Sequence, residues 1–471
     1  MEKYYLAVDI GASSGRHMLG HLEGGKLILE EIHRFKNGMT EKDGHLIWDK
    51  ERLFFEIKAG MKKCKEAGKI PISMGIDTWA VDYVLIGEEG RDISEAAGYR
   101  DSRTDNMDKK VYEVIPEEDL YARTGIQKQK FNTIYQLMAE KELSPERLNA
   151  ADKMLLIPDY FNFRLTGKKY AEYTNASTTQ LLSPETKTWD TELIKMLGYP
   201  EKIFPEIIEP GTAIGHLSKE IEEEVGFNCA VIAVATHDTA SAVAAVPAAE
   251  NENVLYISSG TWSLMGTELL KADCSKAAAA ANFTNEGGVE YRFRFLKNIM
   301  GMWMINSAKA SLAPEMSFGE MCAQAAKEEI SSVVDCNDER FLAPKSMADE
   351  VRKACEETGQ EIPESMPQMA KVIYASLAKC YADTAKETEE ITGLKYDKIR
   401  IIGGGCNAAY LNELTAKASG KDVYAGPVEG TAIGNIAVQM ITSGAFKDLR
   451  DARKCIAASF DIKVYDHDKL Q

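Results

Sequence analysis

The sequence is poor in the features that mark disulfide-rich, zinc-binding and membrane proteins. Its nine cysteines are odd in number and include no CxxC pair, which argues against both a disulfide framework and a zinc site. No continuous run of about 18 or more apolar residues occurs, so a membrane-spanning helix is not expected. Met1–Tyr4 leads directly into an apolar strand pattern rather than into a signal peptide. We therefore expect a cytoplasmic protein.

Positive charge is also scarce. The chain carries 56 basic against 73 acidic residues, which gives a formal net charge of −17. This balance argues against nucleic acid or an anionic membrane as a partner, because both are negatively charged. With 471 residues, the chain is too long for a single hydrophobic core. We expect two domains, a small-molecule partner, and a monomer or homodimer.

The N-terminal stretch joins a buried strand to a Gly/Ser turn with a carboxylate at the junction. Apolar Tyr4–Ile10 predicts a core strand, Gly11–Gly15 a tight turn and Arg16–Leu22 a returning strand. Such a turn aims backbone N–H groups at one spot, and Arg16 can bind phosphate oxygens there. Asp9 can hold a magnesium ion through water beside that phosphate. The alternative is an ordinary hairpin in which Asp9 only hydrogen-bonds the turn.

The same pattern of strand, Gly/Ser turn and strand returns at Val254–Met265, after a linker-like stretch at Pro247–Asn253. Two such turns suggest a duplicated architecture that holds a nucleotide between the copies. We place the domains at residues 1–246 and 247–471, and the order of strands and helices favours the α/β class. Helices are predicted at about 49–68, 133–142, 158–165, 240–245, 367–391, 408–418 and 431–441.

Asp238 lies between the fully apolar strand Val231–Ala235 and the small-residue helix Ala240–Ala245. Ligands of open α/β folds collect at the carboxyl ends of strands, so this carboxylate is a candidate for the chemistry. The alternative is a helix-capping role, which a neighbouring threonine fits equally well. We expect His237 to form hydrogen bonds rather than bind a metal, because no second His or Cys lies at ligand spacing.

A strand at Ile70–Asp77 runs into a segment that contains Trp79, Asp82 and Tyr83. A carboxylate with two aromatic rings at a strand end suits a polyol site, because sugars present hydroxyl edges and apolar faces together. The alternative is that the rings belong to the core, which we favour for Tyr83. Composition gives no role to the polar stretch Tyr173–Gln180, which is predicted to be a loop.

A glycine turn at Gly403–Asn407 follows the predicted strand Lys398–Ile402. With Ala408 it fits G-x-G-x-x-A, and Asp422 lies at a suitable distance in the sequence to hydrogen-bond a ribose, as in a nicotinamide dinucleotide domain. Against this, only one further strand and helix follow, and both hairpins stay unexplained. The absence of G-x-x-x-x-G-K-[ST], H-R-D and D-F-G excludes P-loop enzymes and protein kinases.

Two hairpin turns plus a late glycine turn resemble the actin-like ATPase superfamily, and the residues resemble the FGGY carbohydrate kinases over nearly the whole chain. The strings that carry the resemblance are Val8–Arg16, Gly75–Trp79, Tyr99–Thr104, Glu172–Leu181, His237–Val243, Ser258–Gly266, Asn285–Gly288, Leu296–Gly301 and Gly403–Cys406. The resemblance implies an α/β fold of two ribonuclease-H-like domains with the active site in the interdomain cleft.

Within this family, the strings His237–Val243 and Leu296–Gly301 are similar to those of members that phosphorylate L-rhamnulose. The resemblance therefore implies transfer of the γ-phosphoryl group of ATP, with Mg²⁺, to the 1-hydroxyl of L-rhamnulose in L-rhamnose catabolism. Two departures are local: Ala80 replaces a usual Gly in the substrate loop, and Asn306 replaces a usual Gln near the nucleotide. The alternatives are L-fuculose or L-xylulose as the ketose, a nicotinamide-dependent oxidoreductase, and a non-catalytic nucleotide switch.

The resemblance also implies roles for individual residues. Asp238 is the expected catalytic base, and Asp9 is the expected anchor of Mg²⁺ through water. Trp79 is expected to face the methyl group of the 6-deoxy sugar. The expected ATP contacts are Ala12, Ser13, Ser14, Gly15, Arg16, Thr261, Asn306 and Gly404. The expected ketose contacts are Ala80, His237, Asp238, Thr239 and Asn298.

Overall fold

The computed structural model describes residues 2–248, 252–342 and 344–469. The chain divides into two compact units. Unit 1 comprises Met1–Ala245, Glu268–Phe295 and Thr431–Ser459, and unit 2 comprises Val246–Thr267, Leu296–Gly430 and Phe460–Gln471. The first passage between the units lies beside the predicted boundary, but unit 1 also takes in two later segments. A domain boundary between residues 246 and 247 stays a prediction.

Strands and helices mix along the described chain, as the α/β class requires. The strands are β1 (Tyr4–Ile10), β2 (Ser14–Glu23), β3 (Lys26–Lys36), β4 (Met39–Lys42), β5 (His45–Trp48), β6 (Pro71–Thr78), β7 (Tyr83–Ile86), β8 (Ala96–Ala97), β9 (Lys153–Leu156), β10 (Ala171–Glu172), β11 (Ile207–Ile208), β12 (Thr212–His216), β13 (Ala230–Ala233), β14 (Leu255–Ser259), β15 (Trp262–Leu269), β16 (Thr284–Gly287), β17 (Phe293–Met300), β18 (Lys398–Ile402), β19 (Asp422–Ala425) and β20 (Lys463–Tyr465). The α-helices are α1 (Lys50–Glu66), α2 (Met107–Tyr112), α3 (Glu117–Thr124), α4 (Thr133–Leu143), α5 (Pro145–Ala150), α6 (Ile157–Thr166), α7 (Tyr173–Ala176), α8 (Thr191–Leu197), α9 (Lys219–Val225), α10 (Asp238–Ala244), α11 (Lys276–Ala280), α12 (Trp303–Leu312), α13 (Phe318–Ala325), α14 (Met347–Glu357), α15 (Met366–Thr392), α16 (Ala409–Ser419), α17 (Gly430–Thr442) and α18 (Leu449–Ser459).

Unit 1 is organised around a six-stranded sheet of order β12-β13-β6-β1-β2-β3. β1 pairs antiparallel with β2 and parallel with β6, while β6 pairs parallel with β13 and β13 antiparallel with β12. Helix α1 begins where predicted, because the Asp49 carboxylate accepts a hydrogen bond from Arg52 N at 3.0 Å. Its apolar face, with Leu53, Ile57 and Met61, is buried.

Unit 2 repeats this order of pairings. β15 pairs antiparallel with β14, β14 pairs parallel with β18, β18 parallel with β19, and β19 antiparallel with β20. In both units a hairpin is therefore followed by two parallel neighbours and an antiparallel edge strand. The repeat is the duplicated architecture that the two Gly/Ser hairpins predicted.

Helix α15 is the long amphipathic helix expected at 367–391. It runs for 27 residues, and its buried side includes Ile373, Leu377 and Tyr381. Lys379 and Asp383 form an exposed ion pair on the other side at 2.6 Å. Among the helices of the described residues, none is both long enough and apolar enough to cross a membrane.

The stretch Tyr173–Gln180 is not the polar loop that its composition predicted. It forms α7 and the 3₁₀ turn Ser177–Thr179, and all of it is buried. The physical reason is a cap: the Glu172 carboxylate accepts hydrogen bonds from Thr174 N at 2.8 Å and Asn175 N at 3.2 Å. A buried glutamate thus satisfies the first-turn amides of a helix rich in small polar side chains.

Candidate active site

Three acidic residues of unit 1 lie near the carboxyl ends of parallel strands in its sheet. β1 and β6 run parallel, and Asp9 on β1 is directly in register with Asp77 on β6. The next residue, Thr78, forms a parallel bridge to His237, and its amide donates to the Thr236 carbonyl at 2.9 Å. Asp238 therefore joins the two strand-end carboxylates, as the position of its strand predicted.

The carboxylates differ in their hydrogen-bond partners and in the charges near them. Asp9 Oδ2 accepts from Arg16 Nε at 2.9 Å, which links the sheet edge to the first hairpin. Asp77 is fully buried, and its Oδ2 accepts from Asn435 Nδ2 at 2.6 Å. Burial, and then the negative charge of Asp9, raise the pKa of Asp77 well above its ordinary value. Asp77 Oδ1 has no hydrogen-bond partner among the described residues.

Asp238 is the carboxylate of this group that keeps access to solvent, with 32% of its side chain exposed. Desolvation raises the pKa of Asp238, the neighbouring His237 opposes this rise, and the negative charge of Asp9 adds to it. The capping position of α10 belongs to His237, whose side chain makes no cap hydrogen bond. Asp238 Oδ1 instead accepts from Thr239 N at 2.6 Å and from Thr239 Oγ1 at 3.2 Å. Asp238 is therefore the first residue of α10 rather than its N-cap residue.

Glu172, to which the sequence patterns gave no role, holds the segment that carries Asp238. Its Oε2 accepts from Thr236 N at 3.0 Å and from Thr236 Oγ1 at 2.6 Å. His237 N donates to Thr174 Oγ1 at 3.3 Å. The only sequence signal for these contacts is the string Glu172–Leu181, because the partners lie more than 60 residues apart.

The first hairpin turn presents Ser13 and Ser14 to solvent, while Gly15 is buried. The turn is closed by Gly11 N, which donates to the Ser14 carbonyl at 2.9 Å. A Cβ at Gly15 would overlap the ring of Phe35, so glycine is required there by packing as well as by any close approach to a ligand. Ala12 lies at the half-buried side of the same turn.

Unit 2 brings its own predicted residues to one end of its sheet. The hairpin turn with Thr261 follows β14 and the glycine turn follows β18, and these strands are parallel neighbours. A Cβ at Gly405 would overlap Ser259, whereas Gly404 is exposed with open space beside it. The start of α12, which carries the exposed Asn306, is tied to the hairpin: Trp303 N donates to the Thr261 carbonyl at 3.1 Å.

Asn298 lies on β17, which neighbours β15 in the sheet. Its Oδ1 is buried without a hydrogen-bond partner among the described residues. An unpaired buried amide oxygen is costly unless a ligand or water satisfies it.

Two models of one family match the chain. The N-terminal domain of the FGGY family of carbohydrate kinases matches residues 4–245, and its C-terminal domain matches residues 255–443. The chain belongs to the FGGY family of carbohydrate kinases. A rhamnulokinase from Oceanobacillus iheyensis is 49% identical over 465 residues, which cover 99% of this chain and 98% of that protein. A rhamnulokinase from Halalkalibacterium halodurans is 49% identical over 462 residues, which cover 98% of this chain and 98% of that protein.

Solved structures of other sugar kinases share the fold. A gluconate kinase from Lactobacillus acidophilus superimposes with a TM-score of 0.79 at 18% identity, covering 100% of this chain and 96% of that chain. The predicted α/β class and the predicted family are thereby confirmed, and the chain is a kinase rather than an oxidoreductase. Asp422, which a dinucleotide domain would use for ribose, instead accepts from His467 at 2.8 Å.

The predicted polyol segment of this FGGY kinase is tightly packed. Asp82 Oδ2 accepts from Trp48 Nε1 at 2.7 Å and from Trp79 Nε1 at 3.0 Å, and the two indole rings lie 3.9 Å apart. Tyr83 is 2% exposed, so it belongs to the core as favoured. Ala80, which follows Trp79 in the chain, is half-buried.

Asp82 predicts a pH dependence of stability. Burial, opposed by hydrogen bonds from Trp48 and Gln136, raises the pKa of Asp82 from 3.8 to about 6. Because the folded value lies above the unfolded one, the stabilisation by this group is complete below about pH 4 and is lost as pH rises through about 6. The unfolding free energy of wild type relative to Asp82→Asn should fall by about 1–2 kcal/mol between pH 5 and pH 7.5 in urea titrations. The exposed Asp383→Asn should show no such change; a flat difference for Asp82→Asn would contradict the prediction.

Proposed function

We propose that this FGGY kinase transfers the γ-phosphoryl group of ATP to the 1-hydroxyl of L-rhamnulose, in L-rhamnose catabolism. The observation that carries the proposal is the similarity to proteins named rhamnulokinase at 49% identity over 99% of the chain. The carboxylate of Asp238 supports it, since it combines a strand-end position, partial exposure and a raised pKa.

Asp238 acts as the general base. A sugar hydroxyl is a weak nucleophile, so a carboxylate within hydrogen-bond reach accepts its proton while the oxygen attacks phosphorus. A raised pKa makes Asp238 a stronger base than an ordinary aspartate. Ala80, His237 and Thr239 contact the ketose beside it. Asn298, with its unpaired Oδ1, is a further candidate for a ketose contact.

The two hairpin turns bind the β- and γ-phosphates of ATP. Backbone amides of a Gly/Ser turn and the guanidinium of Arg16 stabilise the charge that spreads over the transferred group. The contacts from the first turn are Ala12, Ser13, Ser14, Gly15 and Arg16, and Thr261 provides the contact from the second. Gly404, which has open space beside it, and the exposed Asn306 line the adenosine end.

Asp9 and Asp77, near the carboxyl ends of β1 and β6, fit a Mg²⁺ ion that is held through water. Asp77 Oδ1 is a buried carboxylate oxygen without a partner, which is the kind of group that an ion or its water satisfies. Of the described residues, only Asp422, Asp466 and His467 bring three ligand atoms within 4.8 Å of one another, so Asp9 is expected to act through water. When bound, Mg²⁺ neutralises and orients the phosphates.

The test is ADP release with Mg-ATP across L-rhamnulose, L-fuculose, D-xylulose and glycerol. We expect turnover with L-rhamnulose to exceed that with the other acceptors at least tenfold. Faster turnover with another ketose would leave the assignment as a sugar kinase intact but would show that L-rhamnulose is not the preferred substrate. Ala80→Gly would then be the first substitution to test. ADP release that no sugar stimulates would instead favour a nucleotide switch.

A further inference from the structure

Behind His237, within unit 1, lies an ion pair to which the proposed reaction assigns no role. Arg294 Nη2 lies 3.0 Å from Glu286 Oε2 and 3.0 Å from His237 Nδ1. Glu286 Oε2 lies 3.3 Å from the same imidazole nitrogen. On the other side of the ring, His237 Nε2 lies 3.5 Å from Asp238 Oδ1. The four side chains form one continuous line from a buried guanidinium to the base.

This ion pair belongs to the interior. Arg294 is fully buried and Glu286 is 6% exposed. Arg294 Nε donates to the Gly287 carbonyl at 2.8 Å, which holds the guanidinium plane in place. Burial by itself raises the pKa of Glu286, but Arg294 and then His237 outweigh it and the pKa is lowered, so the pair is ionised. Because buried pairs often add no net stability, a positioning role is the better explanation for this one.

The contact with Arg294 selects one tautomer of His237. A guanidinium group carries only hydrogen-bond donors, so its 3.0 Å contact is a hydrogen bond only while His237 Nδ1 has no proton. The neutral ring then carries its proton on Nε2, and this N–H faces Asp238. With Nδ1 protonated, the ring could donate to Glu286 Oε2 at 3.3 Å, but Nδ1–H and the Arg294 N–H would then face each other as two donors at the shorter distance of 3.0 Å.

We infer that Glu286 and Arg294 are positioning residues that hold His237 in the Nε2–H tautomer, so that its N–H orients the Asp238 carboxylate. The inference rests on the proposed role of Asp238 as the base. Glu286 fixes the position of the Arg294 guanidinium through their ion pair. Arg294 donates to His237 Nδ1 and so keeps the ring proton on Nε2, and this N–H orients the Asp238 carboxylate. Neither positioning residue needs to touch the sugar.

The test is ¹⁵N NMR of the full-length protein, with the His237 ring signals assigned by their loss in His237→Asn. Arg294→Gln removes the cationic donor, and we expect the ring proton to move to Nδ1, toward Glu286. Arg294→Lys keeps a cationic donor and should retain the wild-type ring pattern. The kcat for sugar phosphorylation should fall roughly 10-fold to 100-fold in Arg294→Gln with an unchanged KM for ATP, and Arg294→Lys should recover part of it.

Glu268→Gln is the matched control, because Glu268 pairs with the buried Arg453 at 2.8 Å elsewhere in unit 1. It should alter neither the ring pattern nor kcat. An unchanged ring pattern in Arg294→Gln, or an equal loss of kcat in Glu268→Gln, would overturn the inference. If Arg294→Gln does not fold, the isosteric Glu286→Gln decides: a reduced kcat supports the inference and a wild-type kcat overturns it. If wild type does not phosphorylate L-rhamnulose, the proposed substrate fails, while the NMR comparison still decides the positioning role.

Discussion

Asp238→Asn is expected to lower kcat for sugar phosphorylation by roughly 10²–10⁴-fold, the usual contribution of a positioned general base. Asparagine has nearly the same shape as aspartate but cannot accept the proton of the attacking hydroxyl. The hydrogen bond from Thr239 N at 2.6 Å can be kept by the amide oxygen, so the local fold should survive. The measurement is ADP release with saturating Mg-ATP and sugar, together with equilibrium binding of ATP, which should persist.

The same substitution should not lower stability. Desolvation and the charge of Asp9 raise the pKa of Asp238, so the ionised carboxylate is disfavoured in the folded protein at neutral pH. Removing its charge should therefore leave the thermal midpoint equal to or above that of wild type. A loss of function without a loss of stability is the pattern of a catalytic group.

Asp49→Asn is the control for an aspartate that starts a helix without taking part in the reaction. Asp49 caps α1 through Arg52 N, and asparagine caps equally well, so activity and thermal midpoint should both stay at wild-type values. If Asp238→Asn retained more than about a tenth of the wild-type kcat, its role as the base would be refuted.

Gly434→Ala is expected to lower the thermal midpoint by about 5 °C or more. A Cβ at Gly434 on α17 would overlap the carbonyl oxygen of Ser241 on α10. Since that oxygen belongs to backbone, it cannot rotate away as a flexible side chain would, and the two helices must move apart. α10 begins at Asp238, so kcat should fall together with stability.

Gly319→Ala provides the matched control for Gly434→Ala. Gly319 also lies in a helix, α13, but apart from its chain neighbours and the backbone of its own helix, no atom lies within 4 Å of the position that its Cβ would occupy. Alanine is better than glycine in a helix interior by roughly 0.5–1 kcal/mol, and Gly319 is the second residue of α13, so this variant should lose no stability and keep full activity. Equal midpoints for the two variants would show that the contact between α10 and α17 is not tight.

Local patterns predicted much of this molecule because local physics decides it. Strand Tyr4–Ile10 and the start of helix α1 at Asp49 follow from apolar runs and a capping side chain, and both are confirmed. Composition failed at Tyr173–Gln180, where the deciding contact is a buried glutamate cap. Asn435 could not be connected to Asp77 from sequence patterns, because they lie 358 residues apart. The string Asn285–Gly288 included Glu286, yet nothing in its composition indicated a partner.

By itself, the sequence determined the α/β class, the duplicated hairpins, the FGGY family and the position of Asp238 at a strand end. The class, the hairpins and the position of Asp238 follow from hydrophobic periodicity and short motifs, which act over a few residues, and the family follows from the resemblance of short strings to those of known members. Only the tertiary structure decided which groups surround Asp238. The register of β1 against β6 places Asp9 beside Asp77, and the fold of unit 1 brings Glu286 and Arg294 against His237. The shifted pKa values arise from these long-range contacts, because burial and neighbouring charges exist only once distant segments pack together.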